Sequence, residues 1–324
     1  MKVETSPDVR VGIVVIGRNE GERLQQCLSS LLGLPNIVYA DSASTDDSVT
    51  IARAAGATVV ELSEDRMMTA ARGRNAGVNA LRARQGLEYI QFIDGDCELI
   101  PGWLDAATAF LDAHPEVASV CGRRMERKPE ASIYNKLAHR EWDTPIGQAE
   151  STGGDALVRL SAFLEVGGFR DDQLAHEEPE FCSRLRARGW QIWRIAADMT
   201  THDAATFHIG EFYRRSRRAG MGMTQALLRS DDRSDSASRA IVMRALIWGL
   251  GLPALILVCL AIDWRLSLAI SALYPLQWVR LSVREYRSGY FSVVEATKVA
   301  ALSILGKFAE ADGAIRYASR HLRS

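Results

Sequence analysis

Leu87-Glu88-Tyr89-Ile90-Gln91-Phe92-Ile93-Asp94-Gly95-Asp96 is the stretch that decides the fold. An apolar run rich in isoleucine and aromatic residues stops abruptly at two carboxylates separated by one glycine. A sheet gains no stability from two acids at a strand's carboxyl end. Two such carboxylates can hold a divalent cation, and the cation can neutralise a departing diphosphate. Asp-x-Asp also arises by chance in many loops, so its meaning depends on the segments around it.

Outward from this stretch, short apolar runs alternate with helical patterns. Residues 9–16 read as a strand buried on both faces, broken by Gly17-Arg18-Asn19-Glu20. Over 22–32, Leu24, Cys27, Leu28, Leu31 and Leu32 fall on one side of a helix. A second strand is predicted over 37–40, followed by the polar loop Asp41-Ser42-Ala43-Ser44-Thr45-Asp46, where Thr45 or Asp46 can cap a helix running to Ala55. Further strands are predicted over 58–62, 89–93, 117–121 and 191–196, and helices over 69–84, from Pro101 onward, and up to Arg188-Gly189-Trp190. This alternation predicts an α/β fold whose open, mostly parallel sheet is flanked by helices. Ligands bind such sheets beyond the strands' carboxyl ends. The polar clusters at 17–20, 41–46 and 94–96 all fall there.

Composition separates the chain into two parts. Of 39 Lys+Arg and 40 Asp+Glu, residues 211–324 carry 17 against 9, which leaves 22 against 31 in residues 1–210. The acidic part suits a metal site. The basic part suits an anionic membrane surface, because its arginines flank long apolar runs rather than the aromatic platforms that nucleic acid needs. Phe212-Tyr213-Arg214-Arg215-Ser216-Arg217-Arg218 begins a basic amphipathic stretch, and residues 230–238 are polar enough to be a linker. Residues 245–262 carry no charge and, at about 1.5 Å each, barely match a bilayer core. Residues 266–279 are a second, shorter uncharged run. A membrane-inserted helical hairpin fits better than two full spans, with Arg244, Arg280, Arg284 and Arg287 on its cytoplasmic side. The rival is a buried helical pair. Residues 291–308 contain Glu295, Lys298 and Lys307 and suit the membrane interface. Five scattered cysteines without a Cys-x-x-Cys pair, and a polar start without an apolar signal region, lead to the expectation that the acidic part stays in the cytoplasm.

Several segments carry chemistry. Arg18 or Glu20 can hold a nucleotide, or Glu20 can simply favour a helix start. Asp41, directly after a strand, can accept from a base or from ribose hydroxyls, with Asp46 left for capping. Arg72-Gly73-Arg74-Asn75-Ala76-Gly77 begins a helix, where a guanidinium opposes the macrodipole, so an anion or acid must compensate; Arg74 is favoured over Arg72. Asp94 and Asp96 read as a ribose and metal pair, with Cys97 a poor ligand for hard Mg2+ or Mn2+. Thr152-Gly153-Gly154-Asp155 and Val166-Gly167-Gly168-Phe169 suggest tightly packed loops lining the acceptor side. In His176-Glu177-Glu178-Pro179-Glu180, three carboxylates at a helix start either decorate the macrodipole or include a general base. His202 is a candidate further metal ligand.

Taken in order, these segments resemble the family 2 glycosyltransferases, which have the GT-A fold, over roughly residues 9–208. The resemblance implies a nucleotide-sugar donor (UDP- or GDP-linked), a divalent cation, and inversion of the anomeric centre in one displacement. It implies Arg18 and Glu20 in the first nucleotide loop, Asp41 holding the base, and Arg74 as the arginine of the Arg-Asn-x-Gly segment. It makes Asp94 and Asp96 the Asp-x-Asp pair, with Asp96 nearest the metal. It places Glu178 at the catalytic base, with Glu177 and Glu180 as substitutes. Glu replaces the commoner Asp at that base. The Gln-x-x-Arg-Trp motif of processive members has no match in Glu211-Phe212-Tyr213-Arg214-Arg215, which argues for addition of a single sugar. Arg214, Arg215 or Arg218 can reach a diphosphate or lipid phosphates. The expected organisation is a GT-A catalytic domain over 1–210 and a membrane-associated helical part over 211–324. The expected acceptor is a glycan or lipid-linked molecule at the cytoplasmic face of the inner membrane. A sugar-phosphate nucleotidyltransferase is the rival enzyme, although its first loop would be rich in glycine and base. A non-catalytic membrane scaffold is the rival outside enzymes.

Overall fold

β1 (Val11–Gly17) is the hub of the sheet, and its first six residues are buried because both faces are covered. The computed structural model describes residues 9–229 and 236–321. Most of residues 230–238, the linker expected from composition, and the polar first eight residues lie outside the described part. The other strands are β2 (Ile37–Asp41), β3 (Thr58–Glu61), β4 (Tyr89–Asp94), β5 (Cys97–Leu99), β6 (Val117–Glu126), β7 (Gly147–Gln148), β8 (Ala156–Arg159) and β9 (Gln191–His202). Among the described residues they form one sheet in the order β3-β2-β1-β4-β8-β6-β9-β5, with β7 beside β9. The β3-β2-β1-β4 part is parallel, β8 runs antiparallel to β4 and β6, and β6 pairs parallel with β9. The sheet is therefore mixed, flanked by helices, and parallel where the three polar clusters sit.

Several boundaries differ from the pattern reading for local reasons. β6 continues five residues past the expected Cys121 because bulges let its charged end, Arg123 to Glu126, keep pairing with β9. β9 likewise runs to His202. Pro101 sits in a turn, and the following helix is Trp103–Ala113, with Gly102 left-handed at φ 85° in front of it. Asp46 accepts from the Ser48 N–H at 3.0 Å, so it serves the helix Ser48–Ala54, whereas the Thr45 N–H donates to Asn19. Thr69 caps the helix Ala70–Leu81, accepting from the Arg72 N–H at 3.1 Å.

That helix explains the Arg-Asn-x-Gly pattern residue by residue. A Cβ on Gly77 would stand 2.3 Å from a Val14 methyl, so only glycine lets the helix lie this close to β1. The Asn75 amide donates to the Phe169 carbonyl at 2.7 Å and accepts from the Phe169 N–H at 3.0 Å, fixing the loop behind Gly167-Gly168. Arg74 points into the site described below.

Two compact units divide the chain. The first is built from the chain up to Arg127 with Glu141–Gln173 and Glu177–Ala204. It contains the sheet and a core of Val14, Phe92, Trp103, Leu157 and their neighbours. The second takes Lys128–Arg140, Leu174–His176 and the chain from Ala205 onward. Besides Ile133–Glu141, its helices are Ile209–Arg229, Ser236–Leu246 continuing through a π turn into Leu252–Ile262, Trp264–Ser271, Leu273–Arg287 and Val293–His321. Gly220 and Gly313 let the first and last of these touch backbone to backbone, since a Cβ at either would meet a carbonyl oxygen at 2.1 Å. The helix Arg239–Ile262 contains 18 residues of mean hydropathy 2.5, only 11% of them buried, so by length and composition it can cross a membrane. The second uncharged run is split between the two shorter helices after Asp263, which caps the first of them.

Candidate active site

The end of β4 and the antiparallel pairing of β5 with β9 build the centre of the site. Cys97 opposes His202 in that pairing, which sets the histidine beside Asp96. The His202 Nε2 lies 3.3 Å from Asp96 Oδ2, and its Nδ1 lies 3.3 Å from Glu126 Oε2 at the end of β6. Glu126 also accepts from the Ala204 N–H at 3.0 Å. Trp142 meets the imidazole edge-on at 4.7 Å and lies under the Arg124 guanidinium at 4.8 Å. Burial alone would raise the Asp96 carboxyl, but the hydrogen bond and charge of His202, then Arg124, hold it at about 2. Burial works against charge on His202, yet Asp96 and Glu126 raise its pKa.

Arg74 and Arg124 clamp Asp94 from two sides. Arg74 Nη2 is 3.0 Å from Asp94 Oδ1, and Arg124 Nη2 is 3.5 Å from Asp94 Oδ2. The fully buried Asp155 accepts from the Asp94 N–H at 3.0 Å and from the Thr200 hydroxyl at 2.7 Å, with Arg124 Nε at 3.7 Å. Burial disfavours both guanidinium charges, but the surrounding acids outweigh it and raise both pKa values. Asp94 itself is raised, first by burial and then by Asp155 and Asp96 against the two arginines. Gly154 is glycine for a local reason: a Cβ there would sit 2.7 Å from both Arg74 Nη2 and Asp94 Oδ2.

The three glutamates at the start of the helix Glu177–Ala187 part company. Glu177 is buried and receives Arg74 Nη1 at 2.6 Å. Glu178 lies 3.4 Å from Arg74 Nη2, and burial, then the charge of Glu177, push its carboxyl up to about 7. Glu180 faces elsewhere, accepting from Arg184 Nε and Nη2 at 2.7 Å each and meeting Arg170 at 2.9 Å. Glu20 rises to about 7 through burial and Asp96, despite Arg23 at 2.7 Å. Asp41 accepts from the Tyr39 hydroxyl at 3.0 Å and the Ser44 N–H at 2.8 Å, which folds the second loop. Arg18 is exposed on the first loop, two residues before Glu20.

Thus Arg74, Asp94, Asp96, His202, Glu177 and Glu178 converge, with Glu20 coupled to Asp96, while Glu180 is spent on two arginines and Arg18 and Asp41 belong to neighbouring loops. Pattern reading missed Arg124, Glu126, Trp142 and the role of Asp155. Arg124 and Glu126 stand two apart on β6, the strand read as ending at Cys121. Asp155, an acid directly before the apolar strand β8, was the available signal.

Donor chemistry here fits a divalent cation. Among the described residues the ion pairs here set seven carboxylates, Asp94, Asp96, Asp155, Glu126, Glu177, Glu178 and Glu20, against Arg74, Arg124, Arg23 and His202, so the acids outnumber the bases. A carboxylate oxygen and an imidazole nitrogen sit side by side, and the other ring nitrogen is held by a buried carboxylate, the arrangement that orients metal-binding histidines. Burial raises the Cys97 thiol well above its ordinary value, and hard Mg2+ or Mn2+ prefers the oxygen donors beside it.

The profile described as Glycosyl transferase family 2 matches residues 12–162, and that of Glycosyl transferase family group 2 matches 89–283, more than half of the chain. The chain belongs to the family 2 glycosyltransferases. That membership sets aside both the nucleotidyltransferase and the non-catalytic scaffold. A pre-mycofactocin glycosyltransferase of Mycobacterium tuberculosis is 25% identical over 284 residues, covering 80% of this transferase and 57% of that protein. The transferase therefore spans little more than half the length of its curated relative. The mannosyltransferase PcManGT of Pyrobaculum calidifontis, solved with GDP-Man and Mn2+, shares the fold at a TM-score of 0.55 and 20% identity, over 93% of this chain and 90% of that one. Residues 1–349 of S. aureus TarS align at a TM-score of 0.50 and 14% identity, over 95% and 91% of the two chains. The GT-A expectation for the sheet is met.

Proposed function

We propose that this glycosyltransferase moves one sugar from a nucleoside-diphosphate sugar to an acceptor hydroxyl, in a single inverting, metal-dependent displacement. The observation that carries the reading is Glu178, a carboxyl pushed to about 7 and lying 3.4 Å from the Arg74 guanidinium that also holds Asp94 at the end of β4. A base that titrates there takes a proton efficiently at neutral pH. Glu178 accepts the acceptor's proton as that oxygen bonds to the anomeric carbon and the bond to the diphosphate breaks. Arg74, held by Glu177 and Asp94, keeps Glu178 oriented. Asp94 suits the donor's ribose, and Arg18, Glu20 and Asp41 suit its nucleotide. Asp96 and His202 would hold Mg2+ or Mn2+, which when bound supplies positive charge to the leaving diphosphate. GDP-Man and Mn2+ in PcManGT support a donor and cation of this class.

The second unit supports membrane association. Leu257, Val258, Leu260, Ile262, Leu268 and Leu276 are exposed on its apolar helices, and Arg280, Arg284 and Arg287 follow. A lipid-linked or glycan acceptor at the cytoplasmic face of a membrane fits that surface. The test is donor turnover with and without EDTA, together with a thermal-shift panel of UDP, GDP, dTDP and CMP in Mn2+. The proposal expects turnover to vanish with EDTA, return with Mn2+, and be absent in Asp96→Ala. Undiminished turnover in EDTA refutes metal dependence.

A further inference from the structure

Arg194, on β9, carries a guanidinium that no part of the site above uses. The residue is 3% exposed, yet its buried Nη1 has no hydrogen-bond partner among the described residues. Its nearest counter-charge is Asp143, 3.6 Å from Nη2 and itself half in solvent. Leaving a buried guanidinium N–H unpaired is costly, since such groups recover their desolvation penalty only through a good acceptor.

The backbone opens a space beside it. Cys121 pairs with Arg194 and Arg123 with Asp198, so four steps along β9 oppose two along β6. The excess bulges out at Ile195, Ala196 and Ala197, as such insertions do where a strand re-aims its side chains. Next to the bulge is a cavity of about 400 Å³ lined by Arg123, Asp143, Thr144, Pro145, Arg194 and Asp198, among others. That volume lies within the range of small-molecule sites. Arg123 Nε meets Asp198 at 3.9 Å across it. The lining therefore offers two guanidiniums, two carboxylates and a hydroxyl, with apolar Pro145, Ile146 and Ile195 beside them.

The four charges cancel, so the cavity does not select an ion of either sign. It presents donors and acceptors side by side against an apolar wall. Vicinal hydroxyls of a sugar both accept from guanidinium N–H groups and donate to carboxylates, and the C–H face of the ring suits an apolar wall. Two of its lining residues are chain neighbours of residues at the transfer site: Arg123 precedes Arg124, and Asp143 follows Trp142. We propose that the Arg194 cavity is a saccharide subsite that binds a neutral sugar unit through its hydroxyls, separate from the metal-binding and base residues. The proposal stands on the cavity and not on the transfer chemistry.

Saturation-transfer NMR on the full chain, in EDTA and without nucleotide, tests it with methyl glycosides of glucose, mannose, galactose and N-acetylglucosamine as probes. Glucuronate and inorganic phosphate are the anionic arms. At least one neutral glycoside is expected to bind. Its Kd is expected to rise roughly tenfold or more in Arg194→Met, the effect of losing a charge-assisted hydrogen bond. The exposed rim variants Thr144→Val and Asp198→Ala are expected to weaken it in a chain whose core is untouched. Asp96→Ala is expected to leave it intact, which separates this site from transfer. No glycoside signal, a signal indifferent to all three cavity variants, or one lost in Asp96→Ala overturns the proposal. Binding of glucuronate or phosphate alone overturns it too, by making the cavity an oxyanion site.

Discussion

Replacing Glu178 with glutamine is expected to stabilise this protein while disabling it. The carboxyl is raised from 4.5 to about 7, chiefly by burial and then by the charge of Glu177. Its folded pKa lies above its unfolded one, so between pH 4.5 and 7 the folded state holds the proton that the unfolded state has lost. Stability therefore falls as pH rises through that window and stays reduced above it. At about 1.4 kcal/mol per pH unit, the cost at pH 8 is roughly 3 kcal/mol. Glutamine keeps the shape without the charge and removes that cost. The gain falls short of the full figure, because Arg74 keeps Glu177 and Asp94 but loses Glu178. Over the same window the wild-type kcat is expected to rise with pH as the base ionises, and in Glu178→Gln it is expected to fall by roughly 10²–10⁴ with that rise abolished. Urea unfolding at pH 5 and pH 8, run beside single-turnover kinetics, reads both quantities. A variant that loses activity and stability together at pH 8 refutes the reasoning, since Glu178 would then be a structural partner of Arg74.

Glu177→Gln removes the charge that helps raise Glu178, so the alkaline rise of kcat is expected at lower pH in a pH–rate profile. Glu180→Gln breaks a two-pronged pair with Arg184 and the contact with Arg170; chemical denaturation should show a loss of about 1–3 kcal/mol with the shape of the pH–rate profile unchanged. Glu126→Ala frees the far nitrogen of His202 and should weaken Mn2+ binding about 10–100-fold by calorimetry, the usual effect of losing such a support. Leu257→Asp with Leu260→Asp should reduce co-sedimentation of the full chain with anionic vesicles; binding unchanged by both charges would count against membrane insertion of Leu252–Ile262.

Local pattern was enough for much of the fold. Val11–Ile16 is a continuous apolar run, and Tyr89–Ile93 is interrupted only by Gln91, because both faces of those strands are buried, and burial of that kind writes itself into composition. The polar loops after β1, β2 and β4 were legible because solvent-facing strand ends require polar side chains. Asp94 and Asp96 were legible because no packing argument accounts for them. The far end of β6 was not. Arg123, Arg124 and Glu126 are charged, so the run looked finished at Cys121, yet Arg123 and Glu126 meet Asp198 and His202 only after β9 has folded alongside, and Arg124 meets Asp94 and Asp155 only once β4 and β8 are in place.

Sequence by itself thus marked strands β1 to β4 and the starts of β6 and β9, though not β5, β7 or β8, and showed that acids gather where parallel strands end, since these follow from the burial and polarity of neighbouring residues. Tertiary structure alone decided which acid does what. Glu177, Glu178 and Glu180 are nearly indistinguishable as letters, and their chemistry diverges because Arg74, 103 positions before Glu177, reaches the first two while Arg170 and Arg184 take the third. Electrostatic environment depends on distance through space, and a linear chain does not record that distance.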